Sequence, residues 1–461
     1  MFFKEQLEEF LNILISTGAD FAEVYLESSK SCRFCLLDSK LDDIITNNNK
    51  GIGLRMVKDL KTTYASISNP KYEEVIKACH KLANTLSGES NKKVILKEKK
   101  YESVIPIKIP FDDYQIEKKI KILKKIDEVA RNTSKLIYQV EAALLETSKD
   151  IIIANSNGLF TTNKMNNLRI FCSCNAKRDG KMTSNFNRYD KSMGYEMLEE
   201  IDIEELAKSC AEGAIEKLDG IYIKGGRMPA IIANGFGALL MHEACGHGLE
   251  ATAVAPGYSV FCGLKGEKVA SSKVTLIDDA TIENGWGSYT VDDEGNPSEK
   301  RVLIENGILK DYLVDYINGI KMNHPANGCG RRQNYQYAPT SRMSNTYIEN
   351  GKDSISDMIK SIDYGIYATS FNSGSVETLT GDFNFSVDDG FLIENGKCTK
   401  KIAQVSLIGK SRELLENIEM VGDDLKLEGG YCGSDSGFVH VTAGQPTLKV
   451  SSILVGGMEN E

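Results

Sequence analysis

Four copies of Ile-Glu-Asn-Gly, beginning at Ile282, Ile304, Ile348 and Ile393, constrain the fold of this chain more than any other feature. Asn-Gly supplies the two positive-φ positions of a type I′ turn, whose twist matches that of the strands it joins. The copies flanked by Val302 and Leu309, and by Phe391 and Lys397, are therefore predicted to close β-hairpins. The irregular spacing of the four argues against a solenoid. The chain also carries 40 glycines against 9 prolines, a balance suited to tight hairpins and close backbone approach more than to extended linkers. A large, mostly antiparallel sheet is expected in the second half.

The first half alternates helical and strand patterns. Phe3, Leu7, Phe10, Leu11, Leu14 and Ile15 fall at helical spacing, with Lys4, Glu5, Glu8 and Glu9 between them, which describes an amphipathic helix and not the uncharged middle of a signal peptide. Short strands are predicted at 22–26, 32–37, 51–56 and 63–67, helices at 72–86 and 113–132, strands at 136–145, 151–154 and 168–174, and a helix at 198–218. The segment 219–227, with three glycines, separates that helix from a fresh apolar run. The expected fold class is α+β: an N-terminal domain of mixed helices and strands, 1–222, and a C-terminal catalytic domain, 223–461, whose large antiparallel sheet carries a metal-binding helix.

The 461 residues hold 55 Lys+Arg against 65 Asp+Glu, a net charge of -10 that repels a phosphate backbone, so nucleic acid is not an expected partner. The uncharged apolar stretch 228–241 is too short to cross a bilayer, and no membrane association is expected. Eleven cysteines, an odd number, without a secretion signal suggest reduced thiols and a cytoplasmic protein.

Of the five histidines, His80, His242, His247, His324 and His440, two fall in Met-His-Glu-Ala-Cys-Gly-His-Gly at 241–248. Imidazoles bind zinc, and a carboxylate beside the first ligand can accept a proton from water, as in HExxH peptidases. Here the spacing is HExxxH. Residues five apart on a regular helix point roughly 140° away from each other. Both histidines reach one ion only if the helix contains a π-type turn or unwinds, and Gly246 is placed to permit either, with Gly248 free to end the helix in the left-handed region. The competing reading is a buried helix whose histidines are satisfied by backbone carbonyls. A third ligand would decide between them. Cys432, His440, Cys262, Cys329 and His324 are the available donors, and Cys432, flanked by glycines in Glu-Gly-Gly-Tyr-Cys-Gly at 428–433, has the most suggestive setting.

With these residues in view, the chain resembles the TldD/PmbA family of metalloproteases, specifically its catalytic TldD type, over nearly its whole length. The resemblance is carried by His-Glu-Ala-Cys-Gly-His-Gly-Leu-Glu at 242–250, Val-Asp-Asp-Glu-Gly at 291–295, Gly-Arg-Arg at 330–332, Arg-Met-Ser-Asn-Thr-Tyr at 342–347, Met-Val-Gly at 420–422 and Gly-Gln-Pro-Thr-Leu at 444–448. It implies a zinc peptidase in which His242, His247 and Cys432 hold the metal and Glu243 is the catalytic base. Arg331, Arg332, Tyr431 and His440 are candidates for substrate binding. The resemblance further implies unfolded or short peptides as substrates, some leader-peptide trimming, and a dimer, either of identical chains or with a related noncatalytic subunit. Where the family pattern has Gly-Asp after Glu250, this chain has Ala251-Thr252. The alternative from another class is a noncatalytic peptide-binding or assembly subunit whose metal is structural.

Other signals read as structure. Cys32-Arg-Phe-Cys35 lies in a predicted strand, not at a helix N-terminus that would lower a thiol pKa, and Cys172 and Cys174 share one strand face as packing. Gly51-Ile-Gly53 lacks the context of a dinucleotide site. The acidic run Asp292, Asp293 and Glu294 lacks the ligand spacing of a calcium loop and is expected to be a solvated turn. The lysines between 92 and 100 form a solvated connector.

Overall fold

The computed structural model describes residues 2–457. Long antiparallel strands dominate the first half: Phe21–Leu37, Lys40–Lys58, Lys61–Ser68, Ile137–Asn155, Leu159–Arg178 and Lys181–Lys191. In space the third, second, first, fourth, fifth and sixth of these lie side by side, and the short strand Lys97–Glu98 also pairs with Leu159–Arg178. The strands predicted separately at 22–26 and 32–37 are one strand of 17 residues. The polar residues between them read as a break, yet each is paired on both sides, Ser29 with Asn49 and with Lys149. Two-residue turns with positive φ at Asp38 and Ser39, and at Asp59 and Leu60, join the first three strands without splaying them.

Helices Lys4–Ile15 and Tyr72–Ala83 bury Leu7, Phe10, Leu11, Val75 and Cys79 in one core of this half. Helices Ile116–Thr133 and Ile203–Glu216 bury Leu123, Ile126, Ala207 and Ala211 in another. The helix predicted over 198–218 is interrupted: Tyr195–Glu199 is a separate 3₁₀ turn. Asp202 then restarts the chain by accepting the N–H groups of Glu204 and Glu205, an N-cap that the apolar periodicity conceals.

Two sheets build the second half. One runs Ile308–Leu309, Lys300–Glu305, Leu276–Asp279, Asn345–Ile348, Gly437–Gln445 and Lys426–Ser434, antiparallel except between Asn345–Ile348 and Gly437–Gln445. In the other, Tyr364–Val376, Gly226–Ile232, Leu448–Gly456, Val405–Lys410 and Asp382–Glu394 pair in turn, and the last returns to the first, so five strands close a ring. The two predicted hairpins form, with positive φ at Asn306 and Gly307 and at Asn395 and Gly396. The segment that follows Gly226–Ile232 carries the histidine motif, and its Leu240, Met241, Ala244, Cys245 and Leu249 join the main core.

The acidic run 292–294 is not a solvated turn. Asp292 and Glu294 are only 2% and 4% exposed. Asp292 accepts the N–H groups of Glu294, Asn296 and Gly330. Glu294 pairs with Arg55 of the first half at 2.6 Å and accepts the N–H of Tyr316. Arg332 pairs in turn with the buried Glu23. Hydrogen bonds and counter-charges from the opposite half offset the cost of burying these acids, a compensation invisible in a local reading.

Candidate metal centre

The HExxxH segment is built from three helix types in succession: an α turn at Ala238–Met241, a π turn at His242–Gly246 and a 3₁₀ turn at His247–Leu249. The N–H of His247 reaches the carbonyl of His242, closing a five-residue turn, the first of the two arrangements that would let both histidines meet. The two imidazoles consequently face each other, ring centroids 5.1 Å apart and planes at 86°.

Glycine at 246 answers to packing and not to backbone freedom. Its φ of -56° and ψ of -54° are ordinary helical values. A Cβ there, however, would stand 2.0 Å from the sulfur of Met343. Gly248 likewise is not in the left-handed region, contrary to expectation; a Cβ at that position would meet the Phe261 ring at 2.8 Å. The helix instead ends at Glu250, whose backbone is extended, and Ala251-Thr252 opens a further short helix, Ala251–Val254. Thr252 donates its N–H to the Ser341 hydroxyl.

Cys432, on the edge strand Lys426–Ser434, completes the cluster. Its Sγ is 3.3 Å from Nε2 of His247, and one donor atom from each of His242, His247 and Cys432 lies within 4.8 Å of the others. Ligands held at about 2.0–2.3 Å on one tetrahedral ion sit roughly 3.3–3.7 Å apart, so the contact between Cys432 and His247 has the right span for zinc. Nδ1 of His242 is buried with no hydrogen-bond partner among the described residues. Burial alone would raise the Cys432 thiol, but the adjacent imidazoles of His242 and His247 hold it well below its usual range. Burial opposes charge on His247, but the Glu250 carboxylate and Cys432 raise it well above the ordinary imidazole value. A thiolate and two imidazoles form a donor set suited to zinc.

Glu243 places Oε2 3.7 Å from Nε2 of His247, with its side chain 20% exposed. It lines both clefts that meet at the cluster. One, of about 450 Å³, is bordered by Tyr258, Gly374, Ser375, Val376, Gly433 and Ser434; the smaller is bordered by Leu239, Gly429, Gly430 and Tyr431.

The remaining donors separate cleanly. Cys262 and Cys329 bond to Val254 O and Asn327 Oδ1, and His324 pairs with Asp311. His440 stands opposite Tyr431 in the strand pair, one position from the register of Cys432 with Val439, and so faces the other side of the sheet. There it packs against Trp286 at 4.5 Å. Arg331, Arg332, Tyr431 and His440 together line a polar cavity of about 270 Å³ bordered by both halves of the chain. Burial, followed by the charges of Lys149, Arg331 and Arg169, keeps His440 well below the ordinary imidazole value.

Glu250, Arg342 and Met343 carry no ligand or acid–base signal of their own in the motif, although all lie in segments that carry the resemblance. Arg342, fully buried, donates to the carbonyls of Cys432 and Gly437 and so holds the strand that bears the thiol. A second thiol cluster, Cys172, Cys174 and Cys210, is sealed in the apolar core of the first half, where Cys210 donates to the carbonyls of Cys172 and Asn185. It reads as packing.

The PmbA/TldA metallopeptidase domain 1, central domain and C-terminal domain match residues 22–83, 109–218 and 225–457. The chain is 33% identical over 459 residues to the metalloprotease TldD homolog of Buchnera aphidicola subsp. Acyrthosiphon pisum, covering 97% of this chain and 95% of that one. It is 28% identical to the zinc metalloprotease TldD homolog of Saccharolobus solfataricus, over 61% of this chain and 63% of that one. In fold it is similar to TldE of Thermococcus kodakarensis, with a TM-score of 0.79 at 22% identity, covering 98% and 99% of the two chains. With its domain matches spanning both halves, this chain belongs to the PmbA/TldD family and is a metallopeptidase.

Proposed function

We propose that the enzyme is a zinc-dependent peptidase of unfolded or short peptides, leader peptides among them, with His242, His247 and Cys432 holding the ion and Glu243 as catalytic base. The observation that carries this reading is the carboxylate of Glu243, 3.7 Å from the imidazole of His247 and open to two clefts. A structural metal site needs no acid there. When bound, zinc supplies a Lewis acid that polarises the scissile carbonyl and makes water a competent nucleophile near neutral pH. Glu243 takes the proton of the attacking water and returns it to the leaving amine.

The edge strand Lys426–Ser434 has one neighbour in its sheet, which leaves an edge beside the cluster for an extended peptide. Main-chain hydrogen bonds would then hold substrates with little regard to sequence. Arg331, Arg332, Tyr431 and His440 are assigned to positioning substrate. The same proposal divides the chain into domains 1–222 and 223–461, supported by the sheets on either side, and has it act as a dimer with itself or with a noncatalytic relative. No helix of the described residues is long and apolar enough to cross a membrane. All eleven cysteines are free, which supports a reducing, cytoplasmic setting.

Digestion of unstructured peptides, read by mass spectrometry with and without a chelator, tests the activity. Glu243→Ala is expected to keep its zinc and its fold while losing cleavage. Undiminished hydrolysis by that variant removes Glu243 as base, and a zinc-loaded wild type inert toward every peptide favours the noncatalytic subunit.

A further inference from the structure

We infer that Glu250 is a positioning residue of the metal centre, holding the imidazole of His247 so that Nε2 is turned toward the ion. This rests on the metal-binding role proposed for His247. In a 3₁₀ turn, residues three apart eclipse one another, so the turn His247–Leu249 sets the side chains of 247 and 250 on one face. Oε2 of Glu250 lies 3.0 Å from Nδ1 of His247. Oε1 accepts the N–H of Met343 at 3.2 Å, with Nε of Arg342 at 3.9 Å.

The chemistry of these neighbours selects a carboxylate. Met343 N–H and the Arg342 guanidinium can only donate. A carboxylate oxygen 3.0 Å from Nδ1 can only accept there, which selects the His247 tautomer whose lone pair is on Nε2, the atom 3.3 Å from Cys432. A glutamine at 250 would keep its oxygen toward Met343 N–H and Arg342, both of which lie on Oε1, and turn its N–H₂ toward Nδ1 of His247, selecting the wrong tautomer. The backbone is held as well: Leu313 donates to the carbonyl of Leu249, and Ala251 donates to the carbonyl of Leu313. The side chain is 5% exposed. Arg342, which approaches Glu250, also donates to the carbonyl of Cys432, so this carboxylate and guanidinium link two of the three proposed ligands from behind.

The test is zinc affinity of the full-length protein, measured by competition with a chromogenic chelator, for wild type, Glu250→Gln and Glu250→Asp. Glu250→Gln is expected to bind zinc about 10- to 100-fold more weakly. Its kcat should fall with the peptide KM little changed. In a His247→Ala background the same substitution should produce no further loss, which separates action through His247 from general destabilisation. If Glu250→Gln fails to fold, Glu250→Asp, which withdraws the charge by one methylene, is expected to lose affinity in the same direction. Wild-type affinity in the folded variants, or an equal further loss without His247, overturns the role of Glu250 while leaving the ligand set standing. A wild type that binds no zinc overturns both.

Discussion

Gly246 lies directly against Met343, with room for sulfur but none for a methyl group: a Cβ at 246 would stand 2.0 Å from Met343 Sδ. In an ordinary helix Gly→Ala gains about 1 kcal/mol from chain entropy, whereas overpacking a closed core costs about 1–3 kcal/mol. Met343 is fully buried and has nowhere to go, so the clash wins. Gly246→Ala is expected to destabilise the protein by roughly 1–2 kcal/mol in urea unfolding. Combined with Met343→Ala it should cost less than the sum of the two single changes.

Cys432→Ser replaces a thiol whose pKa the two histidines hold well below its usual range with a hydroxyl that does not ionise. The variant should fold, because the side chain is buried beside polar partners and the change is nearly isosteric. Its zinc affinity is expected to fall on the order of tenfold or more, read by elemental analysis after dialysis. Full occupancy would require another third ligand.

Arg332 and Glu23 form an ion pair between the halves in which both side chains are fully buried. Removing the arginine leaves the buried Glu23 carboxylate with Arg55, 3.8 Å away, as its remaining counter-charge. Arg332→Ala is therefore expected to cost about 3–5 kcal/mol, seen as a lowered thermal midpoint. Glu23→Gln in the same chain should recover part of that loss, since the buried, under-compensated charge is then gone.

His440 sets a pH dependence whose sign is definite. Burial first, then Lys149, Arg331 and Arg169, depress its pKa in the folded chain, so the unfolded chain binds the proton more readily. Its contribution to stability is present above about pH 6.5 and is lost as pH falls below that value, by at most roughly 1.4 kcal/mol per pH unit. Unfolding measured between pH 7.5 and 5.5 should show this slope in the wild type and a smaller one in His440→Gln. Equal slopes would assign the dependence to other groups.

The local devices of the fold were readable from the chain. Asn306-Gly307 and Asn395-Gly396 carry their turn chemistry in two adjacent residues. The spacing of His242 and His247 requires a π-type turn or an unwound helix if both are to meet, and the structure has the π turn. The long first strand looks like two from sequence, because Ser28–Ser31 resemble a loop until partners on both sides supply their hydrogen bonds. The acidic run 292–294 reads as solvated because its partners, the Arg55 guanidinium and the backbone N–H groups of Gly330, Arg332 and Tyr316, come from distant segments. Glu250 was visible as a residue but not as a partner of His247, since the pairing depends on a switch from π to 3₁₀ geometry within a few residues.

By itself the sequence determined what neighbouring residues can impose on one another: turn handedness, the irregular helix, and the identity of two imidazoles and an acid within one segment. Only the tertiary structure decided which of five possible donors joins them, which glycines are demanded by packing, and which acids lie buried. The reason is range. Backbone sterics act over a few bonds, whereas the approach of Cys432 to His247 joins residues 185 positions apart through the pairing of strands and the hydrogen bonds of the buried Arg342.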